Sequence, residues 1–416
     1  MIESLLRVRS LLIAIFALMV GSGFLTTLVS LRMERAGSGT LMIGLVSTAY
    51  FAGLSIGALR VAPVVHRVGH IRAFAAVVSL FSASTLAYGL FENAWFWACL
   101  RFIDGLCVAG VFVCLESWLN EKADGRTRGS ILASYMVALY LGQALGQFLL
   151  NLDVQQPAVL FMVASLVISL AAIPVLLTRI AAPMPGEAEP FSMARLYAVS
   201  PLGAVGAAVT GVMLGAFYGL AAVYVRRLGL DLAATALFMG TVIAGGVALQ
   251  WPLGRLSDRF DRRMVIVGTF AGAALCSLAL VFVAGKGAPL LLAGAMFGGA
   301  SFALYPLCVA HTNDHLDDST RVAATGGLVL LYSVGAVVGP IGGALAMMAA
   351  GPQGLFLFIV TIAAGMFLFG IWRQTASAPV PAPLQGDYQL LPRTTPVVAM
   401  LDPQAAGSDD TAQEQS

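Results

Sequence analysis

Long stretches of this chain carry no charge at all. Residues 10–31, 73–91, 154–178, 196–225, 232–254, 264–285, 287–313 and 322–372 contain no Asp, Glu, Lys or Arg. Roughly 20 consecutive apolar residues cross the ~30 Å hydrocarbon core of a bilayer, so these runs predict membrane spans rather than buried helices of a soluble domain. Composition closes off the soluble alternative. Of 416 residues, 59% are hydrophobic and 11% are charged, whereas soluble domains average about 25% charged. Too few polar side chains exist to cover a globular surface.

These runs and the other apolar stretches of the chain give twelve expected spans: 10–31, 40–63, 73–91, 95–120, 130–151, 157–178, 201–225, 232–256, 264–284, 288–311, 322–348 and 353–373. Pro201 and the Gly351-Pro352 pair break the two runs that are too long for one span. The first apolar stretch, preceded by Arg7 and Arg9, is longer than the apolar core of a leader peptide and reads as an uncleaved first helix.

An even number of spans puts both termini on one side, and the basic residues choose the side. With the termini inside, the cytoplasmic segments hold 17 basic residues: Arg7, Arg9, Arg60, Arg67, Arg72, Lys122, Arg126, Arg128, Arg179, Arg195, Arg255, Arg259, Arg262, Arg263, Arg321, Arg373 and Arg393. The other side holds 5: Arg32, Arg35, Arg226, Arg227 and Lys286. The positive-inside rule therefore predicts cytoplasmic termini. The expected organisation is a six-span half over 1–178, a linker over 179–200, a second six-span half over 201–373 and a disordered cytoplasmic tail over 374–416. The tail is rich in Pro, Ala, Gln, Thr and Asp and lacks apolar periodicity.

The halves repeat at an offset of 193 residues. Thr48 matches Thr241, Gly53 matches Gly246, Asn120 matches Asn313, Glu121 matches Asp314, Arg128 matches Arg321, Gly142 matches Gly335, and Gly146 matches Gly339. Six spans per unit give the two repeats the same orientation. Such parallel repeats are one design for alternating access around a midplane site.

Several motifs carry chemistry. In span 4, Arg101 and Asp104 lie about 60° apart on one helix face at ~100° per residue. Each charge costs roughly 2.5–3.5 kcal/mol at a bilayer centre, so both need a partner or a wet cavity. They either neutralise each other or serve as substrate and proton groups. Glu116, further along the span, is a second proton or substrate candidate, or else a group that snorkels to the headgroups. The segment Gly254-Arg255-Leu256-Ser257-Asp258-Arg259-Phe260-Asp261-Arg262-Arg263 joins spans 8 and 9. Its Gly254, Asp258, Arg259 and Arg262 are candidates for an ion-pair gate between helix ends. The matching first-half loop has Ala62 and His66 where Gly and Asp would stand, so its gate is degenerate. Gly142-xxx-Gly146 and Gly335-xxx-Gly339-Pro340 suit close helix packing. Tyr135, Tyr140, Gln143, Gln147, Tyr218, Tyr224, Gln250, Trp251, Tyr305, Asn313 and Tyr332 supply polar or aromatic contacts within spans.

The Gly254–Arg263 segment resembles the loop signature of the major facilitator superfamily, and Arg101-Phe102-Ile103-Asp104-Gly105 resembles its span-4 signature. The runs Ser47–Gly53, Glu116-Ser117, Arg128–Met136, Gln250–Asp258 and Leu304-Tyr305-Pro306 are similar to the YcaD-like branch of bacterial members. The resemblance implies an all-α membrane protein of twelve transmembrane helices in two pseudo-symmetric six-helix halves. It implies a transporter in the bacterial inner membrane, with spans 1, 4, 7 and 10 around the cavity, which favours Tyr218 and Tyr305 as substrate contacts.

The expected function is proton-coupled movement of a small organic solute by alternating access. A receptor that binds its ligand without moving it is the alternative. An enzyme is not expected. His66/His70 and His311/His315 have i, i+4 spacing, yet no HExxH pattern occurs. The five cysteines lie inside apolar runs without metal spacing. No cofactor and no nucleic-acid partner are expected, and the chain is expected to be a monomer in its bilayer.

Overall fold

The computed structural model describes residues 2–124, 127–152, 156–178, 192–283, 287–376, 380–381 and 385–402. Twelve helices are long and apolar enough to cross a membrane. The first half comprises α1 (Ile2–Arg35), α2 (Thr40–Val68), α3 (His70–Ala87), α4 (Ala94–Lys122), α5 (Arg128–Gly146, prolonged by a 3-10 turn over Gln147–Asn151) and α6 (Pro157–Leu170, followed by a turn of helix at Ile173–Leu176). The second half comprises α7 (Pro201–Arg227), α8 (Leu232–Arg259), α9 (Arg262–Phe282), α10 (Ala288–Asn313), α11 (Asp318–Ala350) and α12 (Gly354–Ala376). Each expected span finds its helix, and most helices run several residues further into the loops. Apolarity marks only the part in hydrocarbon, whereas backbone hydrogen bonding continues until a cap intervenes.

Caps fix several of those ends. The Asn93 side chain accepts from the N–H groups of Trp95 and Phe96 and starts α4. Asp231 accepts from Ala234 to start α8, and Ser200, followed by Pro201 at the first helical position, accepts from Gly203 to start α7. Gly69, at φ 96°, turns the chain between α2 and α3 in a backbone region that side chains disfavour.

Burial sorts the helices by position. Between 61% and 78% of the apolar stretch of α1, α4, α7 and α10 is buried, against 39–56% for the others. The former are the central helices, and the rest present a face to lipid. The start of α1 and the end of α12 lie at the same end of the bundle, called proximal below; the other end is distal.

The repeat is visible in the packing. A Cβ on Gly142 or Gly146 would overlap the carbonyl oxygens of Phe16 or Val20 in α1. A Cβ on Gly335 or Gly339 would overlap those of Ala208 or Val212 in α7. Equivalent glycines thus press α5 onto α1 and α11 onto α7. In α2 and α8 the equivalence is shifted by one residue. Gly105 packs on the Tyr50 carbonyl and Gly298 on that of Val242. The two glycines are 193 positions apart and the two carbonyls 192.

Two stretches depart from expectation. Residues 193–199 of the expected linker form a short helix (Met193–Val199), while 179–191 lie outside the described residues. Residues 385–402, expected within a disordered tail, instead run into the bundle from the proximal end and finish in a 3-10 turn over Pro396–Leu401. Leu391, Val398, Ala399 and Leu401 are buried there. The polar composition of the tail conceals two short apolar clusters that find a surface between the halves.

Candidate functional site

A cavity opens between the halves at mid-depth. It is lined by Ser22, Thr26 and Thr27 of α1, Tyr50 of α2, Phe112 of α4, Tyr140, Gln143 and Gln147 of α5, Tyr218 of α7, Tyr332 of α11, and Pro392, Arg393 and Thr394 of the C-terminal segment. Polar atoms face one another across it. Thr27 donates to Gln147 Oε1 at 2.7 Å, Gln147 donates to the Gly23 carbonyl at 3.1 Å, and the Tyr218 hydroxyl reaches Gln143 Oε1 at 3.4 Å. Five of the polar span residues picked from sequence therefore converge here: Tyr140, Gln143, Gln147, Tyr218 and Tyr332. Tyr305 does not line the cavity. Its buried ring stands edge-on to Tyr332 with centroids 5.5 Å apart, and its hydroxyl has no hydrogen-bond partner among the described residues.

The charged candidates of α4 occupy separate environments. Arg101 lies over the Tyr50 ring at 4.2 Å, donates to Thr26 Oγ1 at 3.1 Å and pairs with Asp104 at 3.3 Å. It thus stands behind the cavity wall, holding Tyr50 and Thr26. Asp104 faces α3, where it accepts from the hydroxyls of Ser84 and Tyr88, the latter at 2.7 Å. Its oxygens are occupied within the first half. Glu116 lies fifteen residues from Arg101, about 22 Å along the axis at ~1.5 Å per residue. It accepts from the Tyr135 hydroxyl at 2.9 Å and from the hydroxyls of Thr394 and Thr395. Glu116 is fully buried, and it joins none of the ion pairs found among the described residues.

At the distal end the halves meet directly. Arg227 of α7 makes a two-pronged bridge to Glu34 of α1, at 2.7 and 2.9 Å, and donates to Thr40 of α2 at 2.8 Å. Thr48 of α2 donates to the Val337 carbonyl of α11 at 2.9 Å, and Ser30 of α1 to that of Gly219 in α7 at 3.0 Å.

At the proximal end the four gate candidates behave differently from one another. Arg262, 1% exposed, binds both oxygens of Asp314 at 2.6 and 2.7 Å and Asp258 at 3.0 Å. These partners all belong to the second half. Arg262 also donates to the Gly386 carbonyl at 2.7 Å, the Gly386 N–H donates to Asp314 at 3.0 Å, and the Tyr388 N–H donates to Asp258 at 2.9 Å. The Tyr388 ring lies against Gly254, where any side chain would overlap it. Arg259 is exposed and joins no ion pair among the described residues. Next to the cluster, partial burial pushes the Asp261 carboxyl up, but the Arg263 guanidinium and N–H outweigh it and hold it below the usual carboxylate range.

Sequence reasoning missed Thr26, Tyr50, the Arg393-Thr394-Thr395 run, and Phe302 of α10, whose ring lies 4.7 Å from the Arg393 guanidinium carbon. Arg393 counted only as a cytoplasmic charge. The available signal was an arginine flanked by Leu390-Leu391-Pro392 and Val397-Val398 in a tail otherwise poor in such residues.

Two helical halves enclosing a polar cavity inside a lipid-facing shell form the architecture of a membrane solute carrier. The sequence profile of the Major Facilitator Superfamily matches residues 11–286 and 204–402, and the chain belongs to that family of transporters. It is 30% identical over 377 residues to the uncharacterized MFS-type transporter YcaD of Salmonella enteritidis PT4, covering 90% of this chain and 97% of the relative. The YcaD protein of Escherichia coli matches with the same identity and coverage. Among solved structures the fold is similar to the nucleoside transporter NupG, with TM-score 0.73 and 11% identity over 87% of this chain and 98% of that one. A bacterial homolog of the human lysosomal transporter Spinster, inward-facing and occupied, gives TM-score 0.73 and 14% identity over 90% and 98%. A D-xylose-proton symporter gives 0.65 and 14% over 88% and 97%. The chain is a multi-pass membrane protein and a transporter rather than an enzyme. Among the described residues no group of three or more His, Cys, Asp or Glu could hold a metal ion.

Proposed function

We propose that the chain moves a small organic solute across the bacterial inner membrane by alternating access, coupled to protons. The observation that carries this is the polar cavity lined by both halves, which the Glu34–Arg227 bridge joins to each other at the distal end. The basic residues favour a cytoplasmic proximal end with both termini inside. Residues 1–178 and 201–373 are then the two rocking units, linked through 179–200, and a monomer suffices. In this state the distal contacts are closed, so the cavity belongs to the cytoplasmic side.

Proton coupling is assigned to Glu116. It is a buried carboxyl with hydroxyl partners and no countercharge in the ion pairs described above, and an unpaired charge is costly at depth. Its proton uptake and release are therefore tied to whether water reaches it. Arg101 and Asp104 form the structural pair that orients Tyr50 and Thr26, one layer behind the solute. Asp258, Arg262 and Gly254 act at the cytoplasmic gate by holding the C-terminal segment, while Tyr218 contacts the solute directly and Tyr305 supports Tyr332.

The test begins with a thermal-shift screen of metabolites at two pH values, since a ligand of the native state raises apparent stability. Hits go to counterflow in proteoliposomes. Glu116→Gln should keep counterflow and lose proton-driven uptake, while Asp104→Asn keeps its coupling. Saturable binding without counterflow would replace the transport reading with that of a receptor.

A further inference from the structure

Among the described residues Arg393 is the one cation seated in the cavity lining, and its surroundings describe a ligand. Its guanidinium carbon lies 4.7 Å from the ring centre of Phe302, 5.5 Å from Tyr332 and 5.9 Å from Tyr140, and Nη1 donates to the Tyr140 hydroxyl at 3.1 Å. Aromatic faces attract cations within about 6 Å, more strongly for weakly hydrated ones shielded from water. The three rings come from both halves: Tyr140 from α5, Phe302 from α10 and Tyr332 from α11. Arg393 joins none of the ion pairs among the described residues. The adjoining Thr394 and Thr395 hydroxyls donate to the Glu116 carboxyl. The segment thus sets a cationic head in an aromatic cage at the cavity wall and hydroxyl donors at a buried carboxylate beside it.

We propose that this cavity takes an organic cation, a guanidinium or ammonium carried on a small solute, and that residues 386–402 occupy it as an intramolecular competitor. The inference rests on the transport reading above and gives its substrate class.

Volume supports the exclusion. The Arg393 guanidinium fills the space between the three rings, and about 120 Å³ remains in the cavity beside it. Solute and segment cannot occupy the cage together. The segment is also anchored at its far end by Tyr388 on Gly254 and by Gly386 on Arg262 and Asp314, so it bridges the second half to Glu116 and Tyr140 of the first. Fewer than ten residues separate Ala376, the end of α12, from Gly386. A tether that short gives an effective concentration in the ~mM range, which a free solute must overcome.

The test uses the full chain in lipid nanodiscs, with phenylguanidine as probe and its neutral isostere phenylurea as control, read by titration calorimetry. Arg393→Gln should bind phenylguanidine at least ~10-fold more tightly than wild type, the gain expected when the competing cation, held at mM effective concentration, is taken out of the cage. Phenylurea should gain nothing, and Arg393→Lys, which keeps a cation in the cage, should stay near wild type. Equal affinity of wild type and Arg393→Gln would overturn the proposal. So would an equal gain for phenylurea, or for Arg393→Lys.

A second readout separates this inference from the transport reading. Leu139 lines the cavity, and a Leu139→Cys reporter is scored against the same chain without it, because Cys99 is exposed. In Arg393→Gln the reporter should label faster from the proximal face and be protected by phenylguanidine. Labelling from either face in turn, with no protection by the cation, would sink the cation assignment and leave transport standing. Protection by the cation with labelling from one face under every condition would sink transport and leave the cation site standing.

Discussion

The two ends of the bundle are closed by different means. At the distal end, helices of one half bond to helices of the other, through Glu34–Arg227, Thr48–Val337 and Ser30–Gly219. At the proximal end the charged cluster of Asp258, Arg262 and Asp314 stays within the second half and directs its remaining donors and acceptors to Gly386 and Tyr388. The bridge to the first half is then made by the chain's own residues 393–395. A direct contact opens when the halves part. A contact through a tethered segment opens when the segment leaves, and that departure can be competed for.

This contrast sets an order of sensitivity. The largest effect is expected for Arg262→Ala. It leaves Asp314, whose side chain is 3% exposed, without its cationic partner. Breaking one side of a buried pair costs ~3–5 kcal/mol, read as a loss of unfolding free energy in detergent. A loss below ~1 kcal/mol, the scale of an exposed pair, would mean that the proximal cluster is solvated and holds nothing.

Gly254→Ala comes next. Its new methyl group overlaps the Tyr388 ring, and overpacking costs ~1–3 kcal/mol. The cheaper relief is release of the segment, so labelling of Leu139→Cys from the proximal face should rise several-fold. Adding Tyr388→Ala should return stability toward wild type. Unchanged labelling would show that the segment stays seated without this anchor.

Thr48→Val removes a hydroxyl that donates across the distal interface at 2.9 Å, and one such bond contributes ~0.5–1.5 kcal/mol. Distal-face labelling of the same reporter should increase, while proximal-face labelling falls as the population shifts. The smallest effect is expected for Arg227→Ala, because its bridge to Glu34 is about a quarter exposed at both side chains. Partly solvated pairs contribute up to ~1 kcal/mol and weaken in salt. If Arg227→Ala outweighed Arg262→Ala, the two ends would have exchanged roles.

Much of this molecule is legible in its amino-acid sequence. Long apolar runs, most of them free of charge, mark twelve spans because hydrocarbon cannot solvate charge or open backbone. The glycine pairs at 142/146 and 335/339 announce close packing, though not that their partners are α1 and α7. Arg101 and Asp104 need a partner or a wet cavity on energetic grounds, and of these the structure shows a pair with each other. Which way they face is hidden: Asp104 turns to Ser84 of α3 and to Tyr88 just past its end, away from the cavity. Helical spacing fixes which residues share a face but not what lies opposite that face.

The tail marks the boundary between the two kinds of information. Sequence alone determined the length, number and parity of the spans, the repeat, and the polar residues available at mid-depth, because these follow from local hydropathy and helical geometry. Only the tertiary structure decided that Tyr140, Phe302 and Tyr332 form one cage, that Glu116 lacks a countercharge among the described ion pairs, and that Arg393 fills the space between them. The cage rings are contributed by α5, α10 and α11, and the segment that enters the cage shows no spacing or periodicity that refers to them. A site assembled from distant parts of a chain is written in the distances between helices, which no local pattern encodes.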